Sequence, residues 1–116
     1  MTAQAQPTAE TAQWLAVGRL DDIPRLGARV VETAHGPVAV FRNGADEVFA
    51  LLDRCPHQGG PLSEGQVHGR LVTCPLHQWN IHLDQGEAKA PDKGCVPRFE
   101  VRNDDGNLDL NPEPLA

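Results

Sequence analysis

The chain has no tyrosine and only five aromatic residues, two tryptophans and three phenylalanines. Leu, Val, Ile and Phe together number 27 of 116 residues, enough for one modest core but not for two. Three cysteines are too few for a disulfide scaffold, so stability has to come from elsewhere. No apolar run approaches the length of a membrane span. Basic residues are outnumbered, 10 against 16, and the net charge of −6 argues against nucleic acid or an anionic membrane as partner. There is no Gly-x-Gly-x-x-Gly, no phosphate loop and no nucleophile–base arrangement, so neither dinucleotide binding nor hydrolytic chemistry is indicated. The first dozen residues, Met1 to Ala12, are rich in Thr, Ala and Gln, with neither a basic region nor an apolar stretch. They read as a loose tail rather than a leader, and free thiols suit a reducing cytoplasm.

What is present is concentrated between residues 55 and 77. Cys55-Pro56-His57 is followed by sixteen residues and then by Cys74-Pro75-Leu76-His77. Two thiolates and two imidazoles are a metal-site inventory that fits either one tetrahedral zinc or a [2Fe–2S] cluster with both cysteines on one iron and both histidines on the other. A zinc finger of this composition sets its histidines three to five residues apart on a helix. Here each histidine stands beside a cysteine, and Gln78-Trp79-Asn80-Ile81-His82-Leu83 alternates as a strand does. The first loop, Cys55-Pro-His-Gln-Gly-Gly-Pro-Leu-Ser63, is stiffened by proline. Its glycines let backbone N–H groups come close, as sulfide-bearing clusters require. These features favour iron over zinc.

Strand signals recur every eight to twelve residues and predict an all-β sandwich or barrel. Strands are expected at Trp14–Val17, Ala28–Thr33, Val38–Arg42, Glu47–Leu52, Arg70–Thr73, Trp79–Leu83, Arg98–Arg102 and Asn107–Leu110. Turns are expected at Asp21–Pro24, His35–Pro37, Asn43–Asp46 and Asn103–Gly106. Residues 13–111 then form one domain with a metal-binding insert over about 53–83, and 112–116 form a C-terminal tail. Cys95 is expected to be a small buried apolar residue, His35 and His68 exposed turn residues, His82 a surface residue and Trp79 a shield for the cluster.

The pattern Cys-x-His, sixteen residues, Cys-x-x-His resembles the Rieske family, and all four ligand positions match. The run from Cys55 to Ser63, then Gly65, Val67-His68-Gly69, Val72 to Trp79, Gly86-Glu87-Ala88 and Ala90-Pro-Asp-Lys-Gly-Cys95 is similar to the small subunit of assimilatory NAD(P)H-dependent nitrite reductase. Rieske ferredoxins of ring-hydroxylating oxygenases share much of it. The resemblance implies an antiparallel base with an inserted cluster-binding subdomain and a Rieske-type [2Fe–2S] cluster on Cys55, His57, Cys74 and His77. It also implies one-electron transfer with no catalytic residue of its own. The implied partner is a large subunit carrying FAD, a [4Fe–4S] cluster and sirohaem; the alternative is an oxygenase served by a free ferredoxin. Respiratory Rieske proteins carry an extra cysteine in each loop where this chain has Gly60 and Leu76. Their donors to sulfur, a serine and a tyrosine, are also missing here. A reduction potential in the low part of the Rieske range, nearer about −150 mV than +300 mV, is therefore expected.

Overall fold

The computed structural model describes residues 14–55, 60–75, 78–89 and 94–115. Nine strands follow one another among the described residues: β1 (Leu15–Arg19), β2 (Ala28–Thr33), β3 (Gly36–Arg42), β4 (Val48–Leu52), β5 (Gln66–His68), β6 (Leu71–Thr73), β7 (Asn80–His82), β8 (Arg98–Asp104) and β9 (Asn107–Pro114). The helical elements among the described residues are two 3-10 turns, Leu20–Asp22 and Leu62–Glu64. Six strands make a nearly closed antiparallel base in the order β1-β9-β8-β4-β3-β2, and β5-β6-β7 make a separate three-stranded sheet. The small sheet lies in the chain between β4 and β8, within the expected insert.

Local chemistry accounts for the hairpins. At the β2–β3 turn the Thr33 hydroxyl donates to the Gly36 carbonyl at 2.8 Å and accepts the His35 N–H at 3.0 Å. At the β8–β9 turn the Gly106 N–H donates to Asn103 Oδ1 at 2.9 Å, and Gly106 takes a φ of +90° that favours glycine.

β3 explains how one small core serves two sheets. Successive strand residues point to opposite faces. Val38 and Val40 join Val17, Ile23, Ala50, Phe99, Leu108 and Leu110 inside the base. Ala39 and Phe41 join Leu51 in a second cluster with Val67, Val72, Ile81 and Leu83 of the insert. Both faces of β3 are therefore buried, which is why its sequence is a continuous apolar run and not an alternation.

A polar clasp joins the same two sheets. Asn43, at the β3–β4 turn, is 3% exposed. Its Oδ1 accepts the Ala45 and Glu47 N–H groups, and its Nδ2 donates to Glu47 Oε1 at 2.8 Å and to the Gly69 carbonyl, in the β5–β6 turn, at 3.0 Å. Arg70 reaches the Glu47 carboxylate with Nε and Nη2, and the Arg70 carbonyl accepts the Leu83 N–H at 2.8 Å. Hydrogen bonds from Arg70 and then Asn43 hold the Glu47 carboxyl down at about 2, from an ordinary 4.5. A depressed carboxyl contributes stability that is fully present above its unfolded value and is lost as pH falls through the folded one. The difference in thermal midpoint between the parent and Glu47→Gln is thus expected to be greatest at neutral pH and to close between about pH 4.5 and pH 2. Melting curves across that window that keep a constant gap would contradict the assignment.

Three expectations need correction. β9 does not stop at Leu110 with a tail over 112–116 but runs to Pro114, which pairs with Phe99, and the Leu115 N–H still donates to the Arg98 carbonyl at 2.7 Å. Among the described residues β1 pairs with β9 only as far as Leu110, so no described strand meets Pro112 or Pro114 along that edge. His68 closes strand β5, opposite Leu71, and is not a turn residue, although it is exposed as expected. Cys95 is exposed, not buried.

Candidate metal centre

Two of the described cysteines, Cys55 and Cys74, follow strands from different sheets. β4 runs towards Cys55, whose N–H donates to the Gly60 carbonyl at 2.7 Å and closes the first loop at its base. Asp53 anchors the far side of this loop: its carboxylate accepts the Ser63 N–H at 2.7 Å and the Ser63 hydroxyl at 2.8 Å, and Leu62 between them is fully buried. β6 runs into Cys74. The Cys74 N–H donates to the Trp79 carbonyl at 2.7 Å and the Cys74 carbonyl accepts the Gln78 N–H at 3.0 Å, so the second loop is pinned by the backbone of the cysteine itself. Gln78 takes a positive φ of 59° to make that return.

Cys55 and Cys74 are 1% and 0% exposed, belong to one buried cluster and form no disulfide. Trp79 packs against that cluster. His57 and His77, the other two expected ligands, lie outside the described residues. Among the described residues no group of three or more His, Cys, Asp or Glu side chains converges, so the structure brings together the two sulfur donors and leaves the nitrogen donors unaddressed.

A third segment closes on the insert. Ala88 N–H donates to the Gly94 carbonyl at 2.9 Å, and Val96 N–H donates to the Gly86 carbonyl at 2.7 Å. Isolated bridges pair Ile81 with Ala88 and Glu87 with Cys95, and Val96 is buried in the cysteine cluster. Residues 90–93, where the sequence places the Pro-Asp-Lys part of this segment, are outside the described residues.

Sequence reasoning overlooked Asp53, Ser63 and Asn43. Asp53 and Ser63 stand ten residues apart on either side of the first loop, and only the closure of that loop makes them partners. Elsewhere His68 Nε2 lies 2.7 Å from Thr73 Oγ1, which donates to Asn80 Oδ1 at 2.7 Å and ties β5, β6 and β7 together.

The sequence pattern of the Rieske [2Fe-2S] domain matches residues 13–100. The chain belongs to the Rieske [2Fe-2S] family. The anthranilate 1,2-dioxygenase ferredoxin subunit of Burkholderia cepacia is 38% identical over 104 residues, covering 89% of this chain and 95% of that one. A chain of the complex of reduced oxygenase and oxidized ferredoxin in carbazole 1,9a-dioxygenase superposes with a TM-score of 0.79 at 30% identity, covering 89% of this chain and 96% of the other. A Mycobacterium tuberculosis chain assigned as an NADH-dependent nitrite reductase small subunit superposes with a TM-score of 0.76, covering 85% and 94%. At 24% identity that likeness concerns the fold alone.

This Rieske domain is therefore an electron-transfer domain of an oxidoreductase system, and its group is the Rieske-type [2Fe–2S] cluster, not zinc. The donor set suits it. Two buried cysteines of one cluster, in no disulfide, offer soft sulfur donors, and each loop is fixed by backbone hydrogen bonds. No helix among the described residues is long and apolar enough to cross a membrane.

Proposed function

We propose that Cys55 and Cys74 hold one iron of the cluster and His57 and His77 the other. We further propose that the chain serves as the small, electron-transferring subunit of an assimilatory NAD(P)H nitrite reductase. Its partner would be a larger subunit carrying FAD, a [4Fe–4S] cluster and sirohaem, where nitrite is reduced to ammonium. When bound, the cluster supplies one-electron chemistry; the substrate chemistry belongs to the partner's cofactors. This chain would hold the group and keep water from its sulfur side with Leu62, Val67 and Val96.

The observation that carries the reading is the third segment. Glu87-Ala88 and Gly94-Cys95, described parts of the stretch that resembles the nitrite reductase subunits, pair with each other, and Ala88 bridges Ile81 of the insert that bears Cys74. A second reading, a ferredoxin delivering electrons to a ring-hydroxylating oxygenase, is favoured by the 38% identity to such a ferredoxin along 95% of its length.

One pull-down experiment separates the two. The tagged chain, purified anaerobically from its own host grown on nitrite, is expected to retain a sirohaem protein and to support NAD(P)H-dependent ammonium formation. Reduction by a separate flavin reductase with electrons passed to an oxygenase, and no sirohaem protein retained, would establish the second reading. In either case the reduced protein is expected to show an EPR average g-value below that of an all-thiolate cluster, as mixed nitrogen and sulfur ligation requires.

A further inference from the structure

The two sulfur donors belong to different sheets, so their separation depends on how the sheets are held to one another. Cys55 extends β4 of the base, and Cys74 extends β6 of the insert. The shared apolar cluster of Ala39, Phe41 and Leu51 against Val67, Val72 and Ile81 supplies most of the attraction, but apolar contact is non-directional and tolerates sliding. Beside the Asp53–Ser63 bonds and the Arg98 Nη1 bond to the Asp84 carbonyl at 3.0 Å, directional restraint at the β3–β4 end, where the two sheets meet the β5–β6 turn, comes from Asn43. Its buried amide uses both ends: Oδ1 holds the β3–β4 turn through the Ala45 and Glu47 N–H groups, and Nδ2 reaches across to the Gly69 carbonyl. Glu47 extends the same bridge to Arg70, and Arg70 in turn holds Leu83 beyond β7. Every strand of the insert is thus tied, directly or through one residue, to the turn that Asn43 organises.

The Glu47–Arg70 pair is itself solvent-screened, with Arg70 58% exposed, and exposed ion pairs contribute little. Asn43 is different. A buried amide that loses its partner bears the full desolvation cost, and a partner of like polarity adds repulsion.

We infer that Asn43 is a positioning residue for the metal centre: it fixes the orientation of the insert, and with it Cys74, against the strand that carries Cys55. This inference rests on the two cysteines being ligands, as proposed above.

Asn43→Asp is the informative change. An aspartate keeps the oxygen that accepts the Ala45 and Glu47 N–H groups and replaces the donor facing Gly69 and Glu47 by a second acceptor. In the cluster-loaded protein, amides of the insert (Val72, Cys74, Leu83) are expected to exchange hydrogen about tenfold faster, with amides of the base (Val17, Leu108, Leu110) unchanged. Iron release to a chelator, followed by visible absorbance, is expected to accelerate by a similar factor. Arg70→Ala, which leaves the Asn43 turn bonds in place, should give the same pattern more weakly, and it carries the test if the aspartate variant does not fold. Asp109→Asn removes the Arg102–Asp109 ion pair within the base and is expected to change neither readout for the insert. Uniform acceleration of all amides, unaltered exchange in the insert, or faster insert exchange without faster iron release would each overturn the inference. An iron-free parent protein would instead remove the ligand assignment on which it rests.

Discussion

Cys74→Ala is expected to yield a colourless chain without iron or acid-labile sulfide that no longer accepts electrons. The substitution removes one sulfur atom and little else. The loop is held by the Cys74 N–H to Trp79 and the Cys74 carbonyl to Gln78, both backbone bonds that alanine retains. Cys74 is also fully buried, so no water-exposed donor can take its place without moving the strand. On the proposed ligand assignment, loss of the thiolate leaves one sulfur for an iron that needs two, and a bound metal's free energy is part of the folding free energy, so stability falls with it. Cys95 provides the contrast. It is exposed and paired through its backbone to Glu87, outside the cysteine cluster, and Cys95→Ser is expected to keep the iron of the parent. Iron and sulfide analysis of anaerobically purified variants decides the matter; more than half of the parental iron in Cys74→Ala would refute the assignment.

Gly65→Ala is expected to lower stability by about 3 kcal/mol, the upper part of the usual cost of overpacking, and the thermal midpoint by more than about 10 °C. Gly65 has an ordinary φ of −80°, so backbone strain is not the reason. A Cβ there would overlap the Thr73 carbonyl oxygen, lie 2.9 Å from Val72 Cγ2 and stand 3.1 Å from the Leu62 carbonyl oxygen. Two of these three atoms are backbone and cannot rotate away, so β6 has to move off β5, and Cys74 follows directly after Thr73. The iron content should fall together with stability. Gly69→Ala makes the opposite case: its Cβ would meet nothing within 4 Å, but φ is +62°. That change should cost only about 1 kcal/mol, the penalty of a left-handed residue with a side chain. Denaturant titration of both variants distinguishes steric overlap from strain; equal losses would show that the close approach at Gly65 is relaxed in solution.

The same pair of glycines shows where sequence reading stops. Both stand in a Gly-rich stretch with similar neighbours, and nothing local tells a glycine needed for space from one needed for conformation. Strand β5 was missed for a related reason: Gln66-Val67-His68 places a single apolar residue between two exposed ones, too short a run to show a period. Cysteine composition favours burial, yet Cys95 is exposed and its backbone bridges Glu87, a pairing that the composition of the segment does not reveal.

What the amino-acid sequence determines by itself is the chemistry and the class of fold. Two cysteines and two histidines at Cys-x-His and Cys-x-x-His spacing, with proline and glycine between them, favour a cluster over zinc because donor type and loop stiffness are local properties. Regular turn signals between β-branched runs specify an antiparallel base for the same reason. Tertiary structure alone decided that the two cysteines share one buried cluster, that β3 is covered on both faces, and that Asn43 and Asp53 latch loops ten or more residues away. These depend on which sheet faces which, and pairings between distant strands are selected by packing that no short window of sequence contains.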